Sequence, residues 1–66
     1  MTRVYSHDYR HPDGDIIRIR GAGHTKAQAR EDGARHFEKI YGVPPAAVDE
    51  RTAVYIPPSD RGPTGL

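Results

Sequence analysis

The side chains of this chain best suited to chemistry are cationic and aromatic. Arg10, Arg18 and Arg20 flank a single turn, and Tyr55 lies in a later β-branched stretch. Guanidinium groups on a flat sheet contact phosphates, and a phenol ring among them stacks on bases. Lys26 and Arg30 stand four apart at the start of a helical pattern, where cations and free backbone amides together suit anionic groups. These six residues are the candidate nucleic-acid contacts. Asp8 offers the plainer alternative, because it falls opposite Arg18 and would leave the same face merely solvated, or free to serve as a dimer interface.

The remaining polar residues argue against catalysis and metal binding. His7 and His11 sit on a strand and its turn, and His24 and His36 lie about three helical turns apart, so no spacing matches a ligand set. Turn chemistry explains Asp13 and Asp15. There is no Cys, and no Ser or Thr has a base partner. The core is too small to wall off a typical pocket of about 300 Å3. No catalytic residue, metal or cofactor is expected.

Three elements must position the candidates. Val4 to Arg10 and Asp15 to Gly21 flank His11-Pro12-Asp13-Gly14, a hairpin signal with a three-residue loop. Its register pairs Arg10 with Ile16, Tyr9 with Ile17, Asp8 with Arg18, His7 with Ile19 and Ser6 with Arg20. Tyr5, Tyr9, Ile17 and Ile19 then face the core, and Arg10, Arg18 and Arg20 the open side. A helix runs from Lys26 to Tyr41: Thr25 and Gln28 form a capping box, and Gly42 precedes Val43-Pro44-Pro45 at the stop. Ala29, Gly33, Phe37, Ile40 and Tyr41 form its apolar stripe, with the small residues allowing close approach to the sheet. Ala46 to Glu50 suits one helical turn. Arg51 to Ile56 is a third strand, with Val54 and Ile56 turned to the core and Tyr55 to the open face.

The fold class that follows is α+β, a β-β-α-β domain with a three-stranded sheet and one long helix on one face. A crossover makes strands two and three parallel, which puts strand three beside strand one, antiparallel, or on the far side of strand two. The first arrangement is preferred. Residues 1–58 form a single domain and residues 59–66 a flexible tail.

Composition narrows the classes further. A chain of 66 residues buries only about 60% of its unfolded surface, and without Cys its stability has to come from packing or association. A homodimer is expected. Ten Lys and Arg against nine Asp and Glu leave a net charge of +1, so only local patches can attract nucleic acid. Eight of the ten cations are Arg, the better geometry for phosphate and carboxylate, although a high-GC genome gives the same bias. No apolar run approaches the ~20 residues that span a bilayer and no apolar signal region opens the chain. The expectation is a cytoplasmic protein of a bacterium or of a virus infecting one, with no membrane partner.

Gly21-Ala22-Gly23-His24-Thr25-Lys26-Ala27-Gln28-Ala29-Arg30, followed by Gly33-Ala34 and Phe37, resembles the final-helix segment of double-stranded RNA-binding domains. The resemblance covers residues 21–37 and implies that Lys26 and Arg30 bridge phosphates across the RNA major groove. Ala27 stands where that family usually carries a second Lys, and the family has a helix before its strands. The same stretch is similar to the helix start of HicB-type antitoxins, which implies a protein partner. The functional expectation is therefore a non-enzymatic binding protein that contacts nucleic acid through the open sheet face or the helix N-terminus. The alternative is a protein-interaction module, such as a phage-encoded inhibitor, an antitoxin-like protein or an adaptor.

Overall fold

In the computed structural model, which describes residues 2–60, the chain reverses at Pro12-Asp13-Gly14. His11 N–H donates to the Asp15 carbonyl at 2.7 Å and Gly14 N–H to the His11 carbonyl at 2.8 Å, while the Asp13 carboxylate accepts Asp15 N–H at 2.9 Å. This loop sets the pairing of β1 (Arg3–Arg10) with β2 (Ile16–Gly23) in the register expected, from Arg10 opposite Ile16 to Ser6 opposite Arg20, and continues it to Arg3 opposite Gly23.

The helix α1 (Lys26–Tyr41) follows, with Thr25 Oγ1 accepting Gln28 N–H at 3.2 Å. The Gln28 side chain reaches back to His24 N–H at 2.8 Å, one residue before the reciprocal bond of an ideal capping box. Gly42, at φ 77°, supplies the left-handed stop, and its N–H returns to the Glu38 carbonyl at 2.7 Å. After the two prolines Ala46 N–H meets the Arg10 carbonyl at 2.8 Å, and β3 (Ala47–Ile56) runs antiparallel beside β1. The sheet order is β2-β1-β3, the preferred one of the two arrangements. The one helical turn expected over Ala46 to Glu50 is instead strand, because β1 offers its open edge to these residues as soon as the chain leaves Pro45. Pro58–Asp60 form a short 3-10 turn, and residues 61–66 of the expected tail lie outside the described residues.

The helix lies against the face carrying Tyr5, His7 and Tyr9. Its contact with the sheet is close at three glycines, Gly21 and Gly23 of β2 and Gly33 of the helix. A Cβ on Gly21 would stand 2.0 Å from the Ala29 carbonyl oxygen, and one on Gly33 would stand 2.0 Å from Tyr9 Oη. The Tyr9 phenol uses that space to donate to the Arg30 carbonyl at 2.8 Å. Tyr9, Ala29 and Phe37 form the fully buried apolar core. The apolar stripe therefore stops one turn early: Ile40 is 66% and Tyr41 42% exposed, because the tapered helix–sheet contact ends at Phe37 and Tyr41 covers only the ring edges of Phe37 and His11.

The largest departure is in β3. From Asp8 to Ser6 β1 advances two residues, while from Asp49 to Val54 β3 advances five, so three residues bulge out of the pairing. An odd insertion exchanges the two faces of a strand. Val48 and Tyr55 consequently both stand on the helix side, opposite Tyr9 and Tyr5, although their spacing would separate them in an unbroken strand. Val54 and Ile56, expected in the core, lie on the open face opposite Ser6 and Val4. Tyr55, expected on the open face, packs edge-on against Tyr5 with ring centroids 5.5 Å apart.

The bulge is built from specific bonds. Asp49 Oδ1 accepts Arg51 N–H at 3.0 Å, and Thr52 Oγ1 donates to the Asp49 carbonyl at 2.7 Å while accepting Asp8 N–H at 3.0 Å. The threonine hydroxyl thus replaces the ladder partner that the looped-out backbone cannot provide.

Candidate binding face

The register sorts the open sheet face into four rows read across β2, β1 and β3. The first holds Ala22, Val4 and Ile56, the second Arg20, Ser6 and Val54, the third Arg18, Asp8 and Asp49, and the fourth Ile16, Arg10 and Ala47. The first row is apolar and the third is charged, and Arg20 and Arg10 put one cation each into the mixed rows beside it. Arg18 Nε lies 3.0 Å from Asp8 Oδ1, and its Nη1 reaches Ser6 Oγ at 3.2 Å. Arg51 Nε lies 3.3 Å from Asp49 Oδ1. The two arginines flank two carboxylates, and the short contacts with Arg51 hold the Asp49 carboxyl below its usual range. Between β1 and the bulged strand a trough of about 490 Å3 opens, lined by Asp8, Arg10, Ile16, Val48, Asp49 and Arg51.

The six expected contact residues divide between two surfaces. Arg10, Arg18 and Arg20 stand on the open face, as the hairpin register requires. Lys26 and Arg30 belong to the helix on the other side of the sheet, where Arg30 is ion-paired with Glu50 from the bulge. Tyr55 is on that side as well. Arg18 and Arg30 are matched by carboxylates, whereas Arg10, Arg20 and Lys26 have none within ion-pair distance among the described residues. The sheet face thus carries fewer uncompensated cations than a count of its arginines suggests, and it lacks the stacking ring.

Helix side chains close the β2 edge of the sheet. On β2, Asp32 Oδ2 from the helix accepts Ala22 N–H at 2.9 Å, and His36 Nδ1 lies 3.1 Å from the Arg20 carbonyl oxygen. Helix side chains thereby occupy the backbone groups that a further strand would need. The Ala22 bond is the main reason the Asp32 carboxyl is held below its ordinary value; His36 and Arg35 add to it. His36 Nε2 sits 3.7 Å from Asp32 Oδ2, the helical pairing of residues four apart.

Sequence patterning missed His7. It lies opposite Ile19 on the helix side, is 1% exposed, and neither ring nitrogen has a hydrogen-bond partner among the described residues. An orphaned buried polar group costs about 1–3 kcal/mol. The alternation of Tyr5, His7 and Tyr9 was the available signal, since a residue between two core tyrosines at period two shares their face. Asp49, Glu50 and Arg51 were also missed, because it is the bulged pairing of β3 that sets Asp49 with Arg51 opposite Asp8 on the open face and Glu50 beside Arg30 of the helix. Among the described residues no group of three His, Asp or Glu side chains is close enough to hold a metal ion, and no helix is long and apolar enough to cross a membrane.

No protein-family model, curated protein or solved structure matches the chain.

Proposed function

We propose that this is a non-enzymatic binding module that uses its open sheet face to hold a partner protein. The observation that carries this reading is the composition of that face: an apolar corner of Val4, Ala22, Val54 and Ile56, and a charged row where Arg18 and Arg51 are balanced by Asp8 and Asp49. Such a mixture suits a protein surface with its own apolar and paired polar groups. It suits a phosphate backbone less well, because each carboxylate in the charged row repels phosphate and no aromatic ring stands among the arginines. A homodimer through this face is one form of the same reading, with the partner a second copy. An inhibitor, antitoxin-like protein or adaptor is another.

Nucleic-acid contact remains the second reading, supported by Arg10, Arg20 and Lys26, which have no carboxylate partner among the described residues. A capture experiment from nuclease-treated and untreated lysate separates the two, using wild type, Val54→Asp, Arg10→Ala/Arg20→Ala and, as a control on the helix, Lys39→Ala. The protein reading expects capture that survives nuclease, is lost in Val54→Asp and persists in Lys39→Ala. Binding that disappears with nuclease, falls steeply with salt and is lost in Arg10→Ala/Arg20→Ala would replace it with the second reading. Light scattering across concentration tests the dimer: a 7.3 kDa species throughout excludes it.

A further inference from the structure

His7 occupies an unusual position in this fold. It is the β1 residue between the last pair before the bulge and the first pair after it, so it faces Glu50 to Ala53 rather than a ladder partner on β3. Its ring lies in a column with Tyr5, at 6.5 Å between centroids, and Tyr9, at 6.1 Å. The Tyr9 hydroxyl donates to the Arg30 carbonyl. The charges that act on the imidazole are mostly of one sign: Lys26 and Arg30 from the helix and, across the sheet, Arg18 of β2, with Glu50 of β3 opposing them among the described residues. Glu50 is itself engaged with Arg30.

A neutral imidazole tolerates this site at the cost of its unmade hydrogen bonds. An imidazolium does not, because two N–H donors would be shut among mostly cationic neighbours with no acceptor in hydrogen-bond contact among the described residues. By the register the β3 segment that faces His7 is the bulge, which makes no continuous ladder with β1 and is held by the bonds of Thr52 and Asp49 and by the Arg30–Glu50 pair.

We propose that His7 and the Glu50 to Ala53 bulge form an acid-operated latch, in which a proton on the buried imidazole lifts the bulge, admits water to the ring and opens the seam between β1 and β3. At neutral pH the latch is closed and the three strands stay paired. In mild acid the open form gains the proton and the closed form does not. Burial, followed by the Arg30 and Lys26 charges, holds the closed-state imidazole below its ordinary value, and Glu50 opposes this only in part. The sign follows from linkage: the open state binds more protons, so closure is at full strength above the open-state value of about 6.5 and weakens as pH falls below it.

The test is amide exchange on the full chain, corrected for intrinsic rates, together with NMR titration of the His7 ring. Between pH 7.5 and 5.5 the β3 amides after the bulge should open about tenfold more often, the ratio set by an exposed imidazole near 6.5 in the open state alone. The amides linking β1 and β2 should not change. His7→Phe should abolish the pH response. If that variant does not fold, Thr52→Val serves instead: it removes the hydroxyl that ties the bulge to Asp8 N–H without changing any charge, so the bulge should open more often and the His7 ring should titrate at higher pH than in wild type. The latch is overturned by an unchanged β3 response in His7→Phe, by exchange that accelerates equally in all strands, by a flat response in wild type, or by a His7 midpoint that does not rise in Thr52→Val.

Discussion

Gly33→Ala separates two physical effects of opposite sign. The residue sits in the middle of α1, where Ala is favoured over Gly by about 1 kcal/mol of helix propensity. On that ground alone the substitution stabilises. The added methyl, however, would stand 2.0 Å from Tyr9 Oη and 2.9 Å from its Cζ. Tyr9 is wholly buried against Phe37, so the ring cannot swing away without disturbing the core. Overpacking of this kind costs about 1–3 kcal/mol, and losing the bond to the Arg30 carbonyl adds about 1 kcal/mol. Setting these against the propensity gain leaves a net loss of about 1–3 kcal/mol. That is a large share of the stability of so short a chain. Urea unfolding followed by circular dichroism gives the answer directly, with Tyr9→Phe/Gly33→Ala as the companion. Removing the hydroxyl should relieve part of the clash, so the double variant should lose less than the sum of the single ones. A Gly33→Ala protein as stable as wild type, or more so, would refute the close-approach account of the helix–sheet contact.

Two further outcomes follow from titrating groups. Burial pushes the Tyr9 hydroxyl up to about 12; a value raised on folding means full stability below the unfolded value of about 10 and progressive loss as pH rises from there towards the folded value. Tyrosinate absorbance and thermal melts across that window should show Tyr9 ionising last, and Tyr9→Phe should flatten the loss. For Asp32 the shift is downward, so its contribution is present above the ordinary carboxylate value and fades as pH falls through the folded one. Asp32→Asn should cost about 1 kcal/mol, the bond to Ala22 N–H being partly solvent-screened. It should also speed exchange at the Ala22 amide; an unchanged Ala22 rate would show that the edge is closed by something else.

The sequence determined what short-range bonding controls. Pro12-Asp13-Gly14 closes a loop whose hydrogen bonds span four residues, and that suffices to pair β1 with β2 over eight positions. Thr25 and Gly42 mark the helix ends through bonds three or four residues long, and Gly33 announces a close approach because nothing else justifies a glycine there. The α+β class and the placing of Arg10, Arg18 and Arg20 on one face came from these alone.

Tertiary structure decided the faces of β3. A polar run from Asp49 to Thr52 carries no local sign that three residues will leave the ladder, since the bond that makes this stable joins Thr52 to Asp8, 44 residues away. Because the insertion is odd, one long-range contact moves Tyr55 to the helix side and Val54 and Ile56 to the open one. The same contact brings Asp49 and Arg51 to the charged row of the open face, pairs Glu50 with Arg30, and leaves His7 buried opposite residues that make no hydrogen bond to its ring. Period-two alternation places side chains only while the pairing is unbroken, and whether it is broken depends on the neighbouring strand.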